Sequence, residues 1–311
     1  MKTSTRILIL SAVLATGCAK PDQKPAAEQA APTGPQRIGE AAGMKVPESV
    51  RYDAAQDLWF VTNINGNPSQ VDGNGFIVRL TADGAAMDST PFIEGGKKGV
   101  TLNAPKGMAI VGDTLWVADI TAVRAFNTRT GAPLASIEIK DSAFLNDVVA
   151  GPDGSVYITD TGVRFDEKGQ MTHPGPDRIV RVIGRQYKAV AGFAGAPGPN
   201  GIAYDAANHR FLVNAFASAN FFSWKPGMAT ADSVGVGAGA GDGLEVLPDG
   251  RALYTSWADS SLSVFANGTS TTLLKGLPSP ADIGYDPKRQ RVAVPLFNDG
   301  KVVFISLGAS K

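Results

Sequence analysis

Short apolar runs with strong β preference recur along the chain: LWFVT from Leu58, LWVAD from Leu115, VYITD from Val156, FLVN from Phe211, ALYTS from Ala252 and RVAV from Arg291. β-Branched and aromatic residues dominate them, the composition of strands packed on a core. Roughly ten residues ahead of each run stands a second pattern, in which a polar residue and a small or acidic one precede an apolar stretch. Its copies are Pro47-Glu48-Ser49-Val50, Pro105-Lys106-Gly107-Met108, Leu145-Asn146-Asp147-Val148, Pro199-Asn200-Gly201-Ile202, Gly241-Asp242-Gly243-Leu244 and Pro280-Ala281-Asp282-Ile283, spaced by 58, 40, 54, 42 and 39 residues. Turn signals such as Gly151-Pro152-Asp153-Gly154 and Pro248-Asp249-Gly250 fit hairpins, and third runs follow at residues 75–80, 178–182 and 301–306.

Repeats near 40–50 residues made only of short strands predict an all-β fold, a β-propeller. Six copies predict six blades, over residues 36–311. The last blade runs out of chain soon after Ile305, so residues 36–42 are expected to supply its fourth strand and leave no free sheet edge. Segment 162–177 is long for a blade connection and reads either as a lid or as an unstructured loop.

The first strand of each propeller blade lines the central channel. The second residues of the six copies, Glu48, Lys106, Asn146, Asn200, Asp242 and Ala281, should therefore meet at one end of the axis. Two carboxylates and two carboxamides form an oxygen-only set that suits Ca²⁺, with waters completing its shell; Zn²⁺ and Mn²⁺ are the alternatives. Without a cation such carboxylates repel one another and rise in pKa. Lys106 brings a positive charge of its own to the ring. A plainer role fits the same residues, capping strand starts and binding channel water.

Composition narrows the chemistry. One cysteine and two histidines exclude internal disulfides, Cys₂His₂ zinc sites and c-type haem attachment. With 29 basic and 29 acidic residues there is no electrostatic footprint for nucleic acid. His173 and His209 stand in loop contexts without a neighbouring serine nucleophile, which argues against a Ser-His-Asp triad. The glycine-rich stretch 235–243 lacks the Gly-Lys-Ser/Thr ending of a phosphate loop and reads as an inter-blade connection.

The N-terminus reads as a targeting device. Lys2 and Arg6 precede an apolar run, residues 7–15, that is too short to span a bilayer. It ends in Leu14-Ala15-Thr16-Gly17-Cys18, which resembles the lipobox of bacterial lipoproteins. That resemblance implies a signal peptide over residues 1–17, lipidation of Cys18, and a flexible Ala/Pro/Gln-rich tether over 18–35. The domain is then a monomer in the periplasm, touching membrane through its lipid alone.

At the channel residues the chain resembles the gluconolactonase and regucalcin (senescence marker protein) family, six-bladed propellers with an axial divalent metal. The resemblance implies that Glu48 in PESVRYD, Asn146 in FLNDV, Asn200 in PNGIAYD and Asp242 in GDGLEVLPDG are the metal ligands. It also implies a metal-dependent hydrolase of a lactone or related ester, with Asp242 as the catalytic carboxylate. Lys106 and Asp147 would then contact substrate. Lys106 stands outside the family's ligand set, and blade six offers Asp282 without the histidine some relatives use. The competing expectation is a non-catalytic propeller of the NHL type that binds a protein or small ligand in the cell envelope.

Overall fold

The computed structural model describes residues 34–308, Ala196 excepted, and among these there is no helix. The leader, Cys18 and all but the last two residues of the tether lie outside the described residues. Six antiparallel four-stranded sheets follow one another as the blades of a propeller. Their inner strands are Pro47–Asp53, Pro105–Val111, Leu145–Ala150, Pro199–Asp205, Gly241–Val246 and Gly284–Asp286. The second strands are Leu58–Asn63, Thr114–Asp119, Val156–Asp160, Arg210–Ala215, Ala252–Ser256 and Arg291–Leu296. Each apolar run of the sequence is thus a second strand, and each polar motif opens, or directly precedes, an inner one.

Closure follows the sequence expectation. Strand Gln36–Ala42 pairs antiparallel with Lys301–Ser306 as the outermost strand of blade six. The core lies between blades. Leu58, Phe60 and Ile77 of blade one meet Met108, Leu115 and Val117 of blade two. Leu253 and Leu262 of blade five meet Val292, Val294 and Val303 of blade six. At the closing seam Val50, Trp59 and Val61 pack on Ala293, Val302, Phe304 and Ala41. Each fully buried side chain of this size contributes about 1.5–3 kcal/mol relative to exposure.

What positions the site is a bulge at the head of the inner strands. Register slips at Pro47/Val50, Pro105/Met108, Leu145/Val148, Pro199/Ile202 and Gly241/Leu244, within the polar motif each time. A bulge leaves one backbone group unpaired and re-aims the side chain beside it. Second-strand side chains take the freed N–H: Ser49 N donates to Thr62 Oγ1 (2.9 Å), Asp147 N to Thr159 Oγ1 (3.0 Å), Gly201 N to Asn214 Oδ1 (2.9 Å) and Gly243 N to Thr255 Oγ1 (2.9 Å). Gly201 and Gly243 let neighbouring inner strands touch backbone to backbone. A Cβ at Gly201 would lie 2.1 Å from the Asp242 carbonyl oxygen, and one at Gly243 2.4 Å from the Ile283 nitrogen.

The residue after a second strand returns to the same end of the channel. Ile64, Thr161, Phe216, Trp257 and Phe297 donate their backbone N–H to the carbonyls of Val46, Phe144, Gly198, Ala240 and Ser279, each two residues ahead of a motif's channel position. Val46 does this at φ 54, a left-handed conformation that costs a β-branched residue energy. Segment 162–177 holds a two-stranded hairpin, Arg164–Phe165 paired with Met171–Thr172.

Candidate functional site

Five of the six motif positions, Glu48, Lys106, Asn146, Asn200 and Asp242, line one pocket that encloses about 500 Å³ of empty space, its open mouth included. All five side chains are buried. Ala281, the sixth position, is buried and does not line it.

The carboxamides are oriented by their neighbours. Thr161 has one hydroxyl hydrogen and donates it to the Pro199 carbonyl at 2.7 Å. It can only accept from Asn146, whose Nδ2 lies 3.0 Å away. That leaves the Asn146 carbonyl oxygen as the atom offered to another partner. Asp242 accepts a hydrogen bond at Oδ2 from the Trp257 indole N–H at 2.8 Å, and the nearby Asn200 amide favours its charged form. Asp242 Oδ1 and Glu48 Oε2 are buried without a hydrogen-bond partner.

Two orphaned carboxylate oxygens in one buried pocket call for a cation. Desolvation, then repulsion from Asp242 and Asp282, raises the Glu48 pKa well above the ordinary value. Asp242 is pushed up to about 8 by desolvation and Asp282, against the opposing pull of Trp257 and Asn200. The donor set is oxygen-rich and partly neutral, which fits a hard divalent ion. Among the described residues no three His, Cys, Asp or Glu side chains gather as metal ligands, so the amide oxygens of Asn146 and Asn200 are essential to that fit.

Lys106 is fully buried, with its Nζ donating to the Ala104 carbonyl at 2.9 Å and lying 4.1 Å from the centre of the Phe144 ring. Desolvation lowers its pKa to about 8, against the pull of Glu48 and Asp119.

Asp147 corrects an expectation. It does not line the pocket; its carboxylate accepts from Val148 N (2.6 Å) and Ile202 N (2.8 Å) and tethers blade three to blade four. The side chain is buried, and each of its oxygens accepts a backbone N–H. Beside it stands Arg51, 3.9 Å from Asp147, 3.7 Å from Asp282 and bonded to Glu245. Arg51 and Glu245 follow Glu48 and Asp242 by three residues, and the bulge returns them to the channel side. Those equal offsets were the signal for this second layer.

Pocket residues outside the motif include Ile64, Thr161, Phe216, Trp257 and Phe297, each the residue after a second strand. Their common offset after LWFVT-type runs was the available sign. Hairpin residues Phe165 and Met171 complete the wall. His173 turns aside to Asp177, 2.5 Å away.

Fold and site together define a lactonase-like six-bladed propeller. Residues 46–270 match the family described as SMP-30/gluconolactonase/LRE-like region, and the chain belongs to that family. A gluconolactonase from Xanthomonas campestris matches in structure at TM-score 0.62 and 15% identity, over 88% of this chain and 95% of its own. A structural-genomics protein solved as a candidate gluconolactonase matches at TM-score 0.64 and 16% identity, over 88% and 92%. A chain of a nidogen–laminin complex matches at TM-score 0.55 and 16% identity, over 74% and 86%. No curated protein sequence matches. At such identities the structural likeness carries the fold alone.

Proposed function

We propose that the protein is a metal-dependent hydrolase of a lactone or related ester, held at the bacterial envelope by a lipid on Cys18. The observation that carries the reading is the pair of unpartnered buried oxygens, Glu48 Oε2 and Asp242 Oδ1, in a pocket shared with Asn146 and Asn200. These four residues would hold the cation, Ca²⁺ by the hardness of the donors. Bound there, it would supply Lewis acidity toward the ester carbonyl.

The chain's own residues do the rest. Asp242 is the general base: the Trp257 indole N–H fixes its carboxylate at Oδ2, and Oδ1, which would lend one lone pair to the cation, takes a proton from an attacking water on the other. The ring C–O bond then breaks, and the same carboxyl returns that proton to the departing alkoxide. Glu48 anchors the cation. Lys106 stands in the ring as a fixed positive charge for the oxyanion that develops.

Asp242→Asn should abolish turnover while largely retaining metal, because an amide ligates but takes no proton. Glu48→Gln should mainly weaken metal binding. Elemental analysis after dialysis and a thermal-shift comparison with and without chelator test the cation directly. No bound metal and no shift with Ca²⁺, Zn²⁺ or Mn²⁺ would remove the hydrolase reading. One observation favours a second reading: Lys106 already places an ammonium in the polar ring, as a metal-free binding propeller would require.

A further inference from the structure

Above the polar ring the pocket is walled by carbon. Ile64, Phe144, Val163, Phe216, Trp257 and Phe297 line it. Trp257 packs edge-on against both neighbours, at ring-centre distances of 5.6 Å to Phe216 and 5.5 Å to Phe297. The hairpin forms a roof. Phe165 sits 5.8 Å from the Phe144 ring centre, and Met171 remains 48% exposed beside the mouth although it is apolar. The roof is fastened to blade one: Phe165 N donates to Ser69 Oγ at 3.1 Å, and Asn67 Nδ2 donates to the Asp166 carbonyl at 2.7 Å.

Several polar groups near this wall are already engaged, and the unpartnered oxygens, Glu48 Oε2 and Asp242 Oδ1, belong to the proposed cation site. Thr161 spends its hydrogen on Pro199, the Asn146 amide its N–H on Thr161, the Trp257 indole its N–H on Asp242, and Lys106 donates to Ala104. A polyhydroxylated substrate would bury hydroxyls against rings that return no hydrogen bond. An apolar substituent would lose nothing there and gain burial.

We infer that the pocket takes a lactone or ester bearing an aliphatic or aromatic substituent, not a sugar lactone, and that the Arg164–Thr172 hairpin covers that substituent. The inference rests on the hydrolase reading of the same site, and names the substrate class. Full burial is worth about fourfold in affinity per methylene, and a hydrocarbon wall disfavours even one added hydroxyl by about 100-fold.

The test uses the full chain in Ca²⁺ buffer with γ-lactones carrying one- to six-carbon alkyl substituents and with glucono-δ-lactone. Calorimetric titration with the matching γ-alkyl lactams, whose amide resists hydrolysis, measures binding apart from turnover. We expect kcat/KM to climb with chain length, glucono-δ-lactone to lie at least about 100-fold below the hexyl compound, and lactam affinity to follow the same order. The double variant Phe165→Ser, Met171→Ser should flatten the length dependence in both assays. If no lactone turns over but lactam affinity still climbs with length, the hydrolase reading fails and the apolar site stands. Preference for glucono-δ-lactone, or lactam binding that is absent or indifferent to length, overturns the inference and leaves the question of hydrolysis separate.

Discussion

A single hydroxyl decides which atom of Asn146 faces the pocket. Thr161 is committed to Pro199, so the amide nitrogen must point at threonine and the carbonyl oxygen away from it. Thr161→Val removes that constraint and lets the amide rotate. We expect it to weaken divalent-metal affinity about 10-fold or more, as loss of a ligand's supporting partner does, with Thr161→Ser restoring it. Titration calorimetry with Ca²⁺ checks this; equal affinity in wild type and Thr161→Val would refute the orienting role. At this scale Glu48, Asn146, Asn200 and Asp242 were legible because each stands in the same place of a repeated motif. Thr161 and Trp257 were not, since Ile64, Ile120, Thr161, Phe216, Trp257 and Phe297 share the position just past a second strand but no residue type. Asp147 misled for the converse reason. It neighbours a pocket residue in sequence, but the bulge turns it onto the backbone of the next blade.

Bulged inner strands in blades one and five, and Asp282 just ahead of the inner strand of blade six, bring acids toward the axis, and this cluster sets the pH dependence of the fold. Desolvation raises Asp282 to about 6 and Glu245 to about 7, with Arg51 opposing in both, and Asp242 to about 8. Each carboxyl keeps its proton in the native state above the pH at which the unfolded chain releases it. Native protein therefore binds more protons across this window, and the stability they provide is complete near pH 4 and lost as pH climbs through 6 to 8. Lys106, lowered to about 8 by desolvation, works oppositely above that pH, because the unfolded chain then holds the extra proton. The melting temperature of chelated protein should fall from pH 5 to pH 8, and saturating Ca²⁺ should reduce the fall. A flat profile in chelator would mean that the cluster is already neutralised. The repeat also showed where strands begin and that six blades form, as β-rich runs at a fixed offset leave little latitude. Its silence about the Arg164–Phe165 hairpin has a simple cause: two-residue strands are held by contacts with Ser69 and Asn67 of another blade.

A propeller is a ring, and its integrity depends on one seam joining the ends of the chain. Strand Gln36–Ala42 completes blade six from outside, pairing from Gln36 with Ser306 to Ala42 with Lys301. Without it the edge of Lys301–Ser306 is bare, and Ala41 no longer covers Val302 and Phe304 in the closing core. Residues 1–35 read as leader and tether, and residues 36–42 as a blade strand. Two truncations separate these roles. A chain starting at residue 34 should keep the native melting transition, whereas one starting at residue 43 should melt at least 5 °C lower or aggregate through its open edge. Under the proposed lipid anchor, Cys18→Ser in the full chain should move the protein from the membrane fraction to the soluble periplasmic fraction and leave its melting temperature unchanged, because the ring's pairing begins at Gln36. Membrane association that survives the substitution would refute the lipid anchor. Equal melting of the two truncations would show that the ring closes through the remaining strands of blade six, and that the N-terminal strand contributes length without cohesion.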